Sequence, residues 1–308
     1  MAKRDFRTLF DISRDEVLKV IDSAIALKEG KLKFSMPPLQ GKTLAMIFLK
    51  SSTRTRISFE VGMYQLGGYA LFLSSRDIQL GRGETIADTA RVLSRFCDAI
   101  MARVFGHSDI EELAEYASVP VINGLSDKHH PCQALADFQT IKEKKGKLKG
   151  VKLAYVGDGN NVCHSLIEAA AMVGAEISVA APKGYEPAKD VVKNAEKEAK
   201  KTGARISIMN DAFAAVKDAD AVYTDVWASM GQEDEAEERK KIFAPYQVNA
   251  ELLKAAKPDA IVLHCLPAHR GEEITDEVID GPQSVVFDQA ENRLHVQKAL
   301  LLLLFGKI

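Results

Sequence analysis

Residues 50–60 read Lys-Ser-Ser-Thr-Arg-Thr-Arg-Ile-Ser-Phe-Glu, directly after an apolar run at 44–49. Hydroxyl and guanidinium donors crowd the point where a strand is expected to give way to a helix. A helix N-terminus offers free backbone N–H groups and a partial positive charge. Ser52, Thr53 and Thr55 add hydroxyls, and Arg54 adds a planar fork suited to phosphate oxygens. Basic residues in a first turn oppose the helix dipole, so capping accounts for Ser52 but not for Arg54 and Arg56. The chemistry implied is anion binding, with phosphate as the anion.

Further polar clusters follow other expected strands: Arg103, His130 to Gln133, Asn160 and Asn161, Asp225, and His264 with Cys265. Open parallel sheets bind ligands at the carboxyl ends of their strands, which is where all of these fall. Gly157-Asp158-Gly159-Asn160-Asn161 follows a strand and opens a helix, as a dinucleotide loop does. Val162 stands where the third glycine of that fingerprint belongs, and no acidic residue ends the next strand, so nicotinamide binding is rejected. Asn161 remains a donor suited to a substrate carboxylate. His129-His130-Pro131-Cys132-Gln133 and His264-Cys265-Leu266-Pro267 raise the question of a metal. Neither supplies a ligand pair with metal-site spacing, so no metal and no cofactor are expected.

These residues need elements to position them. Ser13 and Glu16 have capping-box spacing ahead of a periodic run, which predicts an N-terminal helix. Strands are expected at 43–49, 69–73, 99–104 and 119–122, with helices at 55–66, 85–96, 108–116 and 132–144. A lysine- and glycine-bearing stretch at 142–150 reads as a linker. A second series of strands is expected at 152–156, 176–180, 205–209, 221–224, 260–263 and 285–287. Such alternation predicts an α/β protein of two domains, each a parallel sheet flanked by helices. The domains are set at 1–145 and 146–290, with the apolar C-terminal helix within 291–308 packing back on the first. Residues 74–84 and 225–238 are expected to be irregular loops.

The 308-residue chain suits two domains, and 46% hydrophobic with 27% charged residues describes a globular protein in water. A formal net charge of −2 gives no case for nucleic-acid binding. The opening MAKRDFRTLF lacks an apolar signal core, and no apolar run is long enough to cross a membrane. The four cysteines form no CxxC pair, which fits reduced thiols and a cytoplasmic location.

Taken together, Ser-Thr-Arg-Thr-Arg at 52–56, His-Pro-Cys-Gln at 130–133 and His-Cys-Leu-Pro at 264–267 resemble the transcarbamylases. Asp225-Val-Trp-Ala-Ser-Met-Gly-Gln232 points within them to the ornithine carbamoyltransferase branch. The resemblance implies transfer of a carbamoyl group from carbamoyl phosphate to L-ornithine, a place in arginine metabolism, and a homotrimer or larger assembly with shared sites. Carried over residue by residue, Ser52, Thr53, Arg54 and Thr55 would hold the phosphate. Arg103, His130 and Gln133 would surround the carbamoyl group, and Arg293 would reach carbamoyl phosphate from the last helix. Gln79 would serve a neighbouring subunit. Asn161, Asp225, Ser229 and Met230 would hold ornithine, and Cys265 and Leu266 would line the meeting point of the substrates. Of these, Arg103, His130, Asp225 and Cys265 would act in catalysis. An aspartate carbamoyltransferase would carry proline at the position of Cys265 and lack the Ser-Met-Gly segment. A non-catalytic descendant would show a broken motif, and none is present.

Overall fold

The computed structural model describes residues 3–76, 78–81, 83–228 and 233–308. The chain forms two compact units, one of residues 1–139 with 291–308 and one of residues 140–290.

The first unit opens with α1 (Arg14–Lys28) and alternates β1 (Thr43–Phe48), α2 (Thr53–Gln65), β2 (Tyr69–Ser74), α3 (Ile86–Phe96), β3 (Ala99–Arg103), α4 (His107–Tyr116) and β4 (Val121–Leu125). Helix α5 (Pro131–Lys145) carries the chain across the boundary. The capping box at α1 is realised: Glu16 N–H donates to Ser13 Oγ, and Ser13 N–H donates to Glu16 Oε2 at 2.8 Å. All strand pairs in this sheet are parallel, in the order β2-β1-β3-β4. A parallel sheet covered on both faces needs near-continuous apolar strands, and Ala99 to Ala102 in β3 are buried throughout.

The second unit comprises β5 (Lys152–Val156), α6 (Asn161–Val173), β6 (Glu176–Ala180), α7 (Lys189–Thr202), β7 (Arg205–Met209), α8 (Ala212–Val216), β8 (Ala221–Thr224), α9 (Ala236–Phe243), α10 (Ala250–Leu253), β9 (Ile261–His264) and α11 (Asp276–Ile279). Its parallel order is β7-β6-β5-β8-β9. In each sheet the strand order reverses once, between β1 and β3 and between β5 and β8. Crevices at such switch points are where doubly wound sheets take ligands.

The closing helix α12 (Val286–Leu304) ends against the first unit. Ala299, Leu300, Leu301 and Leu302 are fully buried there, and Lys298 Nζ donates to Gln65 Oε1 at 2.7 Å. The strand expected at 285–287 does not form. Ser284 makes one bridge to Val262, Val285 N–H donates to Val262 O, and Gln289 N–H already donates to Val285 O. Helical bonding takes the chain after one rung, leaving Phe287 69% exposed, which a sheet core would have buried. Two further expectations are corrected. Helix α5 runs to Lys145, so only its sequel can be linker, and the acidic stretch expected as loop contains a 3-10 turn (Glu233–Glu235) and α9.

Candidate active site

One polar cluster lies at the switch point of each sheet. In the first unit, β1 delivers the chain to Ser52, the N-cap of α2, whose Oγ accepts from Thr55 N–H at 3.2 Å. The helix begins at Thr53 rather than 55, so the whole Ser-Thr-Arg-Thr-Arg segment is wound into its first turn. Thr55 is buried, and its Oγ1 accepts from Arg293 Nη2 at 3.1 Å. Arg293 Nη1 donates to Gln133 Oε1 at 2.7 Å, and Gln133 Nε2 donates to Asp137 Oδ1 at 2.8 Å. Residues from α2, α5 and α12 therefore form one continuous chain of hydrogen bonds.

Arg103 ends β3 beside this chain, and a local irregularity sets its direction. The register between β3 and β4 slips at Ala102 and Arg103, so that Arg103 pairs with Leu125 and Gly124 is skipped. A side chain at Gly124 would meet Met101 Sδ at 2.5 Å and Ala102 O at 3.2 Å. Glycine thus permits the bulge, and bulges re-aim side chains beside functional sites. His130 is buried just before α5, where its carbonyl accepts from Gln133 N–H at 3.1 Å. Burial holds the His130 pKa well below the ordinary histidine range, and Arg293, Arg103 and Arg54 press it down further. The imidazole is therefore neutral at pH 7, and three guanidinium charges bear on it. Burial pushes the nearby Cys132 thiol up to about 12, which keeps it an inert neutral group.

In the second unit, Asp225 follows β8 and is buried. Its Oδ2 accepts from Asn160 Nδ2 at 2.8 Å, and its Oδ1 accepts from Cys265 Sγ at 2.9 Å and from its own neighbour Val226 N–H at 2.9 Å. Asn160 also caps α6, its Oδ1 accepting from Val162 N–H and Cys163 N–H. Asn161 is the first residue of that helix and partly exposed. Gly159 has no room for a side chain: a Cβ would lie 2.3 Å from Pro187 N and 2.7 Å from Tyr185 O. Gly159 admits the chain at 185–187 and Gly157 holds a φ of 143°, which together explain a dinucleotide-like pattern without a dinucleotide.

Cys265 and Leu266 sit on a turn held from beneath. His264 Nδ1 accepts from Leu266 N–H at 2.8 Å, and its Nε2 meets Glu273 Oε1 at 3.0 Å. Leu266 takes a left-handed φ of 57°, which a non-glycine residue adopts only when its surroundings impose it. Ligand atoms of Asp225, His264 and Cys265 lie within 4.8 Å of one another. Leu266 and Glu273 engage both ring nitrogens of His264, and Cys265 donates to Asp225, so hydrogen bonds order all three side chains.

Sequence reasoning gave no role to Arg239, which is buried on α9. Its Nη1 donates to Asp158 Oδ2 at 3.0 Å and Trp227 O at 2.9 Å, and its Nε donates to Glu235 Oε2 at 2.9 Å. The pair with Asp158 spans 81 positions, and no local pattern announces it. Burial pushes the Asp158 carboxyl up to about 6 against the opposing pull of Arg239. Gln79 is exposed on a 3-10 turn (Gln79–Gly81) after β2. Ser229 and Met230 lie outside the described residues.

The sequence model of the carbamoyl-P binding domain of aspartate/ornithine carbamoyltransferases matches residues 4–143, and that of the Asp/Orn binding domain matches 149–304. The second match runs on through α12, although the end of that helix belongs to the first compact unit. The ornithine carbamoyltransferase of Thermococcus kodakarensis is 63% identical, covering 100% of this chain and 98% of its own. That of Bacillus subtilis is 61% identical, covering 97% of this chain and 92% of its own. The solved ornithine carbamoyltransferase of Pyrococcus furiosus superposes with a TM-score of 0.94 at 62% identity, covering 100% of this chain and 98% of that one. The chain belongs to the aspartate/ornithine carbamoyltransferase family. Among the described residues, no helix is long and apolar enough to cross a membrane.

Proposed function

We propose that the chain transfers the carbamoyl group of carbamoyl phosphate to the δ-amino group of L-ornithine, giving L-citrulline and phosphate. The observation that carries this is the convergence of Arg54, Arg103 and Arg293 on a buried, neutral His130 at the head of the first switch point. Similarity to enzymes named ornithine carbamoyltransferase supports ornithine as acceptor.

In this reading, Ser52, Thr53, Arg54 and Thr55 bind the phosphate, and Arg103, His130, Gln133 and Arg293 hold the carbamoyl end. Residues 1–145 with 291–308 form the carbamoyl phosphate domain, and 146–290 the ornithine domain. Asn161, Asp225, Ser229 and Met230 hold ornithine, while Cys265 and Leu266 line the point of transfer. Gln79 serves a neighbouring copy in a cytoplasmic homotrimer or larger assembly, and the product feeds arginine metabolism.

The amine attacks the carbamoyl carbon, a C–N bond forms, and the C–O bond to phosphate breaks after a tetrahedral oxyanion. Arg103, Thr55 and a neutral His130 can donate to that oxygen as its charge develops. A free alkyl amine has a pKa near ~10.4, so presenting it neutral at pH 7 costs roughly 3 pK units, or about 4–5 kcal/mol. Asp225 is the base placed to orient the amine and ease its deprotonation. Direct attack needs no acyl-enzyme, and Cys265, whose Sγ lies 2.9 Å from Asp225 Oδ1, serves in this reading as an orienting group.

A competition assay with ornithine, aspartate and putrescine tests the proposal: citrulline should dominate the products. Carbamoyl-aspartate as main product, or no transfer at all, would overturn it.

Arg239 ties Trp227, two residues from Asp225, to Asp158, two residues from Asn160. Arg239→Gln should therefore raise the KM for ornithine about tenfold or more, the scale of a lost charged hydrogen bond, and spare that for carbamoyl phosphate. The same weakness should appear in the wild type as Asp158 takes up a proton near pH 6. Because its folded pKa is raised, this group favours the native state at low pH and loses that contribution as pH rises through about 6. Its protonation thus loosens the ornithine side without unfolding the chain. Below pH 6, log kcat/KM for ornithine should fall more steeply than the single unit per pH expected from the amine alone. A slope of one, with a normal Arg239→Gln enzyme, would remove Arg239 from this role.

A further inference from the structure

His130 stands at the end of a four-residue turn, and that turn is built around Ser126. Ser126 N–H donates to His129 O at 2.9 Å, and His129 N–H donates back to Ser126 Oγ at 3.2 Å. Ser126 and His129 are buried, and the next residue is His130, whose carbonyl receives the first bonds of α5. The Ser126 hydroxyl also lies 2.9 Å from Nδ1 of His107, the first residue of α4. Ser126 Oγ already accepts from His129 N–H at 3.2 Å and Asn123 Nδ2 at 3.4 Å, so its own proton is assigned to His107 Nδ1, with His107 a neutral imidazole protonated on Nε2.

We infer that His107 is a positioning residue for His130, acting through Ser126 to hold the turn that sets the imidazole among the three arginines. The inference rests on the carbamoyl transfer reading of that cluster. Three more contacts brace the same turn. His107 N–H donates to Asp127 Oδ1 at 2.8 Å, Asp127 N–H donates to Phe105 O at 2.9 Å, and the His107 and His129 rings meet edge to face at 4.9 Å. Phe105 and His107 flank Gly106, three residues beyond Arg103, so the loop after β3 and the turn after β4 are fastened to each other. A shift in one moves both of the groups that face the carbamoyl end.

This arrangement depends on protonation. The charged groups around His107 are Glu111 on its own helix, Asp127 and Lys128 on the turn, and Arg7 from the N-terminal segment. Burial lowers its pKa, the two carboxylates raise it, Lys128 and Arg7 lower it, and the net direction is down. A depressed histidine pKa leaves the contact intact at neutral pH. Its contribution is lost as acid passes the unfolded value of about 6.5 and then the folded one. A proton on Nδ1 would turn the acceptor into a donor and evict the Ser126 hydroxyl proton toward His129 O.

Two substitutions separate these effects. His107→Asn places Oδ1 where Nδ1 was, keeping an acceptor that does not titrate, whereas His107→Leu removes it at similar volume. His107→Leu should raise the KM for carbamoyl phosphate about tenfold, the scale of one buried hydrogen bond, and leave that for ornithine within about twofold. His107→Asn should match the wild type at pH 7.5 and lack its rise in carbamoyl phosphate KM below pH 6. Melting curves identify a misfolded His107→Leu protein, in which case the pH profile of His107→Asn decides alone. An unchanged KM in His107→Leu, or an acid rise retained in His107→Asn, would overturn the inference. A wild type that transfers no carbamoyl group would instead overturn the reading beneath it.

Discussion

Arg54→Gly is expected to lower kcat/KM for carbamoyl phosphate by about 10²–10³-fold, the usual cost of removing one preorganised donor from a developing negative charge. The fold should survive. Arg54 is only partly buried in the first turn of α2, and glycine in a helix costs about 1 kcal/mol relative to alanine. That predicts a Tm lowered by about 2–4 °C. Ser52 should still cap the helix, since its bond to Thr55 N–H does not involve Arg54. The His130 pKa should rise, because one of three pressing charges is gone, but burial and Arg293 rank above Arg54 among its causes. Affinity for ornithine alone should hardly change. Near-normal use of carbamoyl phosphate by a folded Arg54→Gly protein would mean that the phosphate binds elsewhere.

Much of this site could be read before the structure, and the parts that could not share a physical reason. The Ser-Thr-Arg-Thr-Arg segment announces itself because a basic first turn opposes the helix dipole, a local contradiction visible in five residues. The parallel pairing of the strands follows from alternation, since parallel strands need crossovers and helices supply them, whereas the strand order does not. Local signals mislead where tertiary bonding outvotes propensity. The β-prone run at 285–287 forms no strand, because the one bridge, at Ser284, is followed at once by α12, and the acidic run after Gln232 becomes a turn and a helix. The choice between Asn160 and Asn161 illustrates the finer limit. Both are asparagines at a helix start, and only the cap geometry turns Asn160 toward Asp225. Arg239 and His107 act across 81 and 19 positions, distances over which one sequence carries no pattern.

Asp225→Asn should be the most damaging change on the ornithine side, lowering kcat/KM for ornithine by about 10²–10⁴-fold, the range spanned by general base catalysis. The carboxylate accepts at both oxygens, from Asn160 on one side and from Cys265 and Val226 on the other. An amide in its place must turn an N–H₂ toward one set of donors, whichever way it rotates. The variant thus loses both the charge that favours amine deprotonation and the hydrogen bonds that aim it. Cys265→Ala removes a single weak S–H donor and leaves the carboxylate intact, so its loss should be smaller, about tenfold. Carbamoyl phosphate affinity should be close to normal in both, because none of these atoms belongs to the arginine cluster. A covalent route reverses the ranking: a nucleophilic Cys265 could not be replaced by alanine at so small a loss. Single-turnover assays with labelled carbamoyl phosphate and no ornithine separate the two routes directly. Direct attack predicts no label on Cys265, and a trapped thioester there would demote Asp225 from base to an orienting partner of the thiol.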